Sequence, residues 1–373
     1  MPSDAAAPTT AAEPGKPAES ADPSGSRTRA APLHAVPLLP CVAVLAVALV
    51  AMMLIAAGIG SVDVPVADTW RIVGGHATGR REGLDPVLDQ IIWQYRVPRV
   101  LLAALAGAGL AVAGVVLQAL VANPLADPYV LGVSSGASFG AVLVITGGAA
   151  AAGGLGVSAA AFAGAAAATV LVFALGLRRG RIAPMRLLLA GVAVGYVLTA
   201  ATGYVQLRAT PNEMRQVMFW MLGSVAGARW DQLQVVGVVV PAATALLLLY
   251  GRRLNAMVTG DEQATALGVD VHRMRACLLA VSALLTGTVI AVTGGVGFVG
   301  LMIPHIVRLG FGADHRRVLP LAALVGALYL VAVDLASRTL DSPNEFPLGI
   351  FTAAVGAPFF LWLLRRGRAG EDA

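Results

Sequence analysis

Apolar runs close to the ~20 residues that carry a helix across a bilayer recur from residue 37 to residue 364, with arginines gathered in the short segments between them. Little else is open to a chain patterned this way. Of its 373 residues 57% are hydrophobic and 13% charged, about half the ~25% charge of soluble domains, so the sequence predicts an all-α integral membrane protein. The expected spans are Pro37 to Gly60, Val100 to Ala119, Tyr129 to Gly147, Gly156 to Leu177, Leu187 to Gln206, Leu233 to Tyr250, Cys277 to Gly295, Val296 to Gly310, Val318 to Ser337 and Pro347 to Leu364.

Residues 96–140 organise the rest. Ala103, Gly107, Ala111 and Gly114 put small side chains about one turn apart, which in lipid marks a face where two helix backbones approach closely. The helix is then broken by Asn123, Pro124, Asp127 and Pro128. Bilayer physics tolerates such polar backbone only at a surface or along a water-lined path, so a transport pathway is expected there.

Several function classes are excluded early. Lys16 is the only lysine, and it lies in a Pro/Ala/Ser-rich stretch, so no phosphate-binding Walker A lysine exists and energy from ATP must come from a partner. Cys41 and Cys277 fall in or beside apolar runs and have no ligands clustered at metal spacing. No metal site, cofactor or enzymatic constellation is legible. The net charge of +5 resides in scattered loop arginines, which fits membrane orientation better than nucleic-acid binding.

Residues 1–36 read as a disordered cytoplasmic tail, 37–366 as a ten-span unit and 367–373 as a cytoplasmic C-terminal tail. Within residues 61–99, VADTWRIV and PVLDQIIWQY are read as short helices lying at the membrane surface. Most of the 26 basic residues fall on one side of the expected spans, which places both termini in the cytoplasm. The 36 residues from Cys277 to Gly312 are too few for two full spans and should turn at Gly294, Gly295 and Gly297.

A shift of 180 residues superposes Ala103 on Ala283, Leu105 on Leu285, Gly107 on Gly287, Ala111 on Ala291, Val112 on Val292, Gly114 on Gly294, Pro124 on Pro304 and Gly132 on Gly312. The second and seventh spans thereby correspond while running in opposite directions. Helices 2–5 and 7–10 are expected to form two inverted repeats, an arrangement of transporters.

Six motifs then occur in order: RVPR at 96–99, LQALVANPLADPYVLGVSSGA at 117–137, RLLLAGVAVG at 186–195, FWMLGSVAGARW at 219–230, GFVGLMIPHIVR at 297–308 and FPLGIFTAAVGAPFFLWLL at 346–364. Together they resemble the FecCD-type permeases, membrane subunits of bacterial ABC importers for iron-siderophores, haem and cobalamin, over about residues 40–366. The resemblance implies ten spans per subunit in the bacterial cytoplasmic (inner) membrane, a dimer (most often a homodimer), two cytoplasmic ABC ATPase subunits and an extracytoplasmic substrate-binding protein. Ferric siderophore stands first as cargo, with haem and cobalamin behind it. The rival of a different class is an ion-coupled secondary transporter, which would need ionisable groups at mid-membrane where only Asp334, near one end, is found.

The resemblance also assigns roles. Arg96, Arg99 and Arg338 would meet glutamates of the docking binding protein, against the alternative of interfacial anchoring. Asn123, Pro124 and Leu125 would form the inner gate, Asn123 bonding across the dimer axis and Leu125 plugging it; a helix-capping Asn123 before a proline turn is compatible with this. Relatives carry small polar residues where this chain has Ala183, Pro184 and Met185, which puts a second polar gate in doubt. Gly260, Asp261, Glu262, Ala264, Leu267 and Gly268 would form a coupling helix seated on the ATPase. His305 reads as a packing residue. Asp334 is expected to pair with Arg338 one turn on.

Overall fold

The computed structural model describes residues 37–60, 64–80, 83–151, 153–178, 181–182 and 184–368. The N-terminal tail, residues 369–373 of the C-terminal tail and Ala183 lie outside them. Helix α1 (Leu38–Gly58) is followed by α2 (Val66–Thr78) and α3 (Pro86–Asp89), which passes through a π-helical stretch, Gln90–Arg96, into α4 (Val97–Val121). A 3-10 turn, Pro128–Leu131, leads to α5 (Val133–Ala151) and α6 (Val157–Gly176). A two-residue antiparallel ladder, β1 (Leu177–Arg178) and β2 (Arg181–Ile182), precedes α7 (Pro184–Gln206), α8 (Pro211–Leu222) and α9 (Trp230–Leu249). The chain closes with α10 (Gly251–Val258), α11 (Asp261–Ala266), α12 (Val271–Thr293), α13 (Val299–Phe311), α14 (His315–Thr339) and α15 (Leu348–Arg368).

Among the described residues, eight helical segments are long and apolar enough to cross a membrane; α13 and the apolar part of α15 are shorter. The deficit expected in 277–312 falls wholly on α13, because α12 keeps 23 residues and stops at Gly294, whose positive φ of 68° a side chain would resist. Several boundaries differ from the sequence reading, α12 among them, which starts at Val271 and not at Cys277. The second span does not start at Val100 but continues a 36-residue helix from Pro86. Asp85 caps that helix, accepting from the amides of Val87 and Leu88, and the wide π turn carries the chain up to Pro98, which has no amide to donate. The third span begins at Val133 because Pro128 and Tyr129 belong to the 3-10 turn, and α15 extends to Arg368.

Helix α4 is the axis of the bundle, and four-fifths of its apolar window is buried. Its small residues do what their spacing predicts. A Cβ on Gly107 would lie 2.1 Å from the Gly326 carbonyl oxygen of α14, and one on Gly114 would lie 1.9 Å from that of Gly300 in α13. Gly136 and Gly164 bring α5 against α6 in the same way. Gly287, superposed on Gly107 by the 180-residue shift, faces Ala165 of α6 at 3.5 Å.

Candidate functional site

At the N-terminal end of α4 three arginines and two carboxylates surround a cavity of about 280 Å³ lined by Gly60, Tyr95, Arg96, Arg99, Arg338 and Glu345. A helix end leaves carbonyls without intrahelical donors, and cations are favoured beside them. Arg96 donates to the carbonyl oxygens of Ala57 and Gly58 at 3.1 and 2.6 Å, and Arg338 donates to those of Ile59, at 2.9 Å, and Ala56. Both arginines therefore cap α1, and both are buried. Arg99 donates through Nε to Asp334 at 2.8 Å and through Nη1 to both oxygens of Glu345, at 2.9 and 3.0 Å. Asp334 is fully buried, and its second oxygen lies 3.6 Å from Arg338 Nε. The expected Asp334–Arg338 pair is present, but the shorter contact is the one from Arg99, across 235 residues of sequence.

At the C-terminal end of α4 the chain turns at Ala122, in the left-handed region with φ 51°. Asn123 Oδ1 accepts from the Leu125 amide at 2.9 Å, an Asx turn in place of the helix cap expected there, since α4 is capped by Ala122 and the following 3-10 turn by Asp127. Asn123, Pro124 and Leu125 are all exposed, Leu125 by 45%. Asp127 accepts from the Tyr129 amide at 2.9 Å, and burial pushes its carboxyl up to about 6. The Tyr129 hydroxyl accepts from the Val296 amide at 2.7 Å, tying this break to the α12–α13 turn.

The third cluster is α11 with its flanks. Gly260 (φ 118°) and Gly268 (φ 81°) bound the helix as their spacing implied. Ala264 is fully buried and anchors it, while Asp261 pairs with the buried Arg275 of α12 at 2.9 Å. Arg275 is thus a brace for the helix. Glu262 and Leu267 point outward, Leu267 with 71% exposure. Of the three residues at the doubtful second gate, Met185 is exposed, Pro184 starts α7 and Ala183 lies outside the described residues.

Sequence reading missed three contributors. Gln118, in the last turn of α4, is 4% exposed and donates from Nε2 to the Gly300 and Leu301 carbonyls at 3.1 and 3.3 Å, while its Oε1 accepts from Arg308 Nη2. A glutamine among apolar neighbours was the signal, since a buried amide must find partners. Glu345 was missed because its partner is so distant in sequence. Helix α8 was missed although it carried a signal: Thr210, Pro211 and Glu213 form a capping box, with the Thr210 amide donating to Glu213 at 2.7 Å. His305 packs edge-on against Phe359 at 6.0 Å, and no cluster of three metal-ligating side chains occurs among the described residues.

Comparison with known proteins gives concordant matches. The model of the FecCD transport family matches residues 48–366. A cobalamin import system permease from Halobacterium salinarum is 44% identical over 283 residues, covering 76% of this chain and 75% of its own. An Fe(3+)-citrate import system permease from Bacillus subtilis is 37% identical over 337 residues, covering 88% and 95%. A solved structure described as a metal-chelate type ABC transporter in an inward-facing conformation superposes with TM-score 0.76 at 32% identity, covering 88% of this chain and 99% of that one.

Proposed function

The chain belongs to the FecCD transport family and is an ABC importer permease, and on that premise we propose that it carries a metal chelate inward across the cytoplasmic membrane. In this reading it has ten spans in two inverted repeats, both termini are cytoplasmic, and two copies work with two ABC ATPase subunits and an extracytoplasmic binding protein. The observation that carries it is the polar break at Asn123–Pro128, which exposes Asn123, Pro124 and Leu125 at the end of the most buried helix of the bundle. Asn123, Pro124 and Leu125 serve as the cytoplasmic gate, and α11 with Leu267 and Glu262 outward is the segment seated on the ATPase. At the opposite mouth Arg99, with its exposed partner Glu345, is the cation within reach of a docking protein. Arg96 and Arg338 support that mouth from within.

Asp334 is already neutralised by Arg99 and Arg338, which leaves an ion-coupled mechanism without a carboxylate to cycle at that depth. Ferric siderophore is the first cargo proposed, supported by the Fe(3+)-citrate relative that aligns over 88% of the chain. A corrinoid is the second, favoured by the 44% identity to a cobalamin permease. The test is uptake into vesicles carrying this chain, its ATPase and its binding protein, with ferric chelates, haem and cobalamin offered in parallel. ATP-dependent accumulation of one chelate is expected, whereas uptake that ignores ATP and collapses with the proton gradient would overturn the reading.

A further inference from the structure

The geometry points to Gln118 as a positioning residue that latches the 122–128 break to α13 and releases it in each transport cycle, an inference that rests on the importer reading. Four contacts converge on this one side chain and its backbone. Its amide nitrogen holds the first turn of α13 through Gly300 and Leu301, and its amide oxygen holds the last turn through Arg308. Its main-chain oxygen accepts from the Asn123 amide at 3.2 Å, so the break hangs directly from the same residue. One turn earlier, Gly114 lies against the Gly300 backbone, which brings the two helices close enough for a short amide to span them.

Arg308 is half-buried at the last turn of α13, and what answers its charge is unusual. Arg308 has no carboxylate within ion-pair distance among the described residues, and a partly buried guanidinium needs hydrogen-bond acceptors for its donors. Here the answer is a neutral amide. An amide–guanidinium contact is weaker and less costly to separate than an arginine–carboxylate pair. Beside it lies a cavity of about 310 Å³ lined by Gln118, Asn123, Pro124, Asn255, Arg308 and His315, which gives the break room to shift. The opposite wall belongs to α10, whose Asn255 donates to Asp314 at 2.7 Å and accepts from the His315 amide at 2.9 Å. Because α10 runs into α11, a push on α11 arrives at the cavity wall facing the latch.

Two substitutions separate latching from mere packing. Gln118→Leu removes the contacts at similar volume, and Gln118→Glu keeps the shape while turning the Arg308 contact into an ion pair. Transport per ATP hydrolysed is measured in proteoliposomes, with thermal stability of the assembled complex as a fold control. For Gln118→Leu the expectation is retained assembly, ATP hydrolysis near wild type and transport per ATP lower by roughly tenfold, within the usual span of coupling between sites. For Gln118→Glu both transport and hydrolysis should slow while the melting temperature rises. Wild-type rates of transport and hydrolysis in Gln118→Glu overturn the latch, as does a Gln118→Leu loss in which hydrolysis and transport fall in step. If Gln118→Leu does not assemble, Gln118→Glu alone decides. A wild-type complex that accumulates no cargo with ATP overturns the importer reading itself, an outcome distinct from intact wild-type transport with unaffected variants.

Discussion

The two ends of α4 are fastened by different chemistry. At the N-terminal end a buried carboxylate, Asp334, sits between Arg99 and Arg338, and two arginines cap α1; at the C-terminal end a neutral glutamine answers the single cation Arg308. Removing one partner of a buried ion pair costs about 3–5 kcal/mol, whereas a hydrogen bond to a charged group contributes about 1.5–3 kcal/mol. On the latch proposal, a helix held this way would pivot about its ionic end. The lesson is that the cytoplasmic end, where the gate and α11 lie in the proposed orientation, is the end built to part.

The strongest challenge to that contrast is Asp334→Ala. It leaves Arg338 without its anion and Arg99 with only the half-exposed Glu345, so a loss of about 3–5 kcal/mol is expected, read as a fall in the melting temperature of the purified complex. A loss no larger than that of Gln118→Leu would erase the distinction between the ends. Next in size come the close helix contacts. Gly107→Ala and Gly114→Ala each place a methyl group against backbone oxygen and should cost about 1–3 kcal/mol, whereas Gly109→Ala meets a movable Val289 methyl at 3.1 Å and should cost less, in the same melting assay.

A pH titration sharpens the view of the break itself. Because burial raises the Asp127 carboxyl to about 6, the folded chain holds a proton between about pH 4 and 6 that the unfolded chain has released. Stability should therefore fall as pH rises through that window, and Asp127→Asn should flatten the slope in melting temperatures taken from pH 4 to 7. The smallest effect belongs to α11. Its Asp261 is half exposed, so Asp261→Ala should change stability by about 0–1 kcal/mol, and any loss of ATP-coupled transport beyond that would mark α11 as a working part.

Much of this architecture was legible because membrane helices write their packing in residue size. Gly107, Ala111 and Gly114 announced the central helix, the glycines at 260 and 268 bounded α11, and Gly294 ended α12. Polar partners were harder to read. Arg99 and Asp334 lie 235 positions apart, and nothing in either neighbourhood names the other. Arg96 and Arg338 looked like surface cations because the helix end they satisfy, α1, carries no side-chain signal of its need: its last residues are Ala56, Ala57 and Gly58. The second span was started at Val100, after the charged RVPR, whereas the π turn before Pro98 lets the helix run through from Pro86.

The most direct test of a helix pivoting on its ionic end is a pair of spin-label distances in the assembled transporter, with Cys41 and Cys277 replaced. One pair, at Ala122 and Leu309, reports the C-terminal end of α4 against α13; the other, at Tyr95 and Leu340, reports the N-terminal end against α14. During ATP turnover the first distance should lengthen or broaden while the second stays fixed. A change confined to the Tyr95–Leu340 pair, or no change at Ala122–Leu309 while cargo is accumulating, would contradict the account.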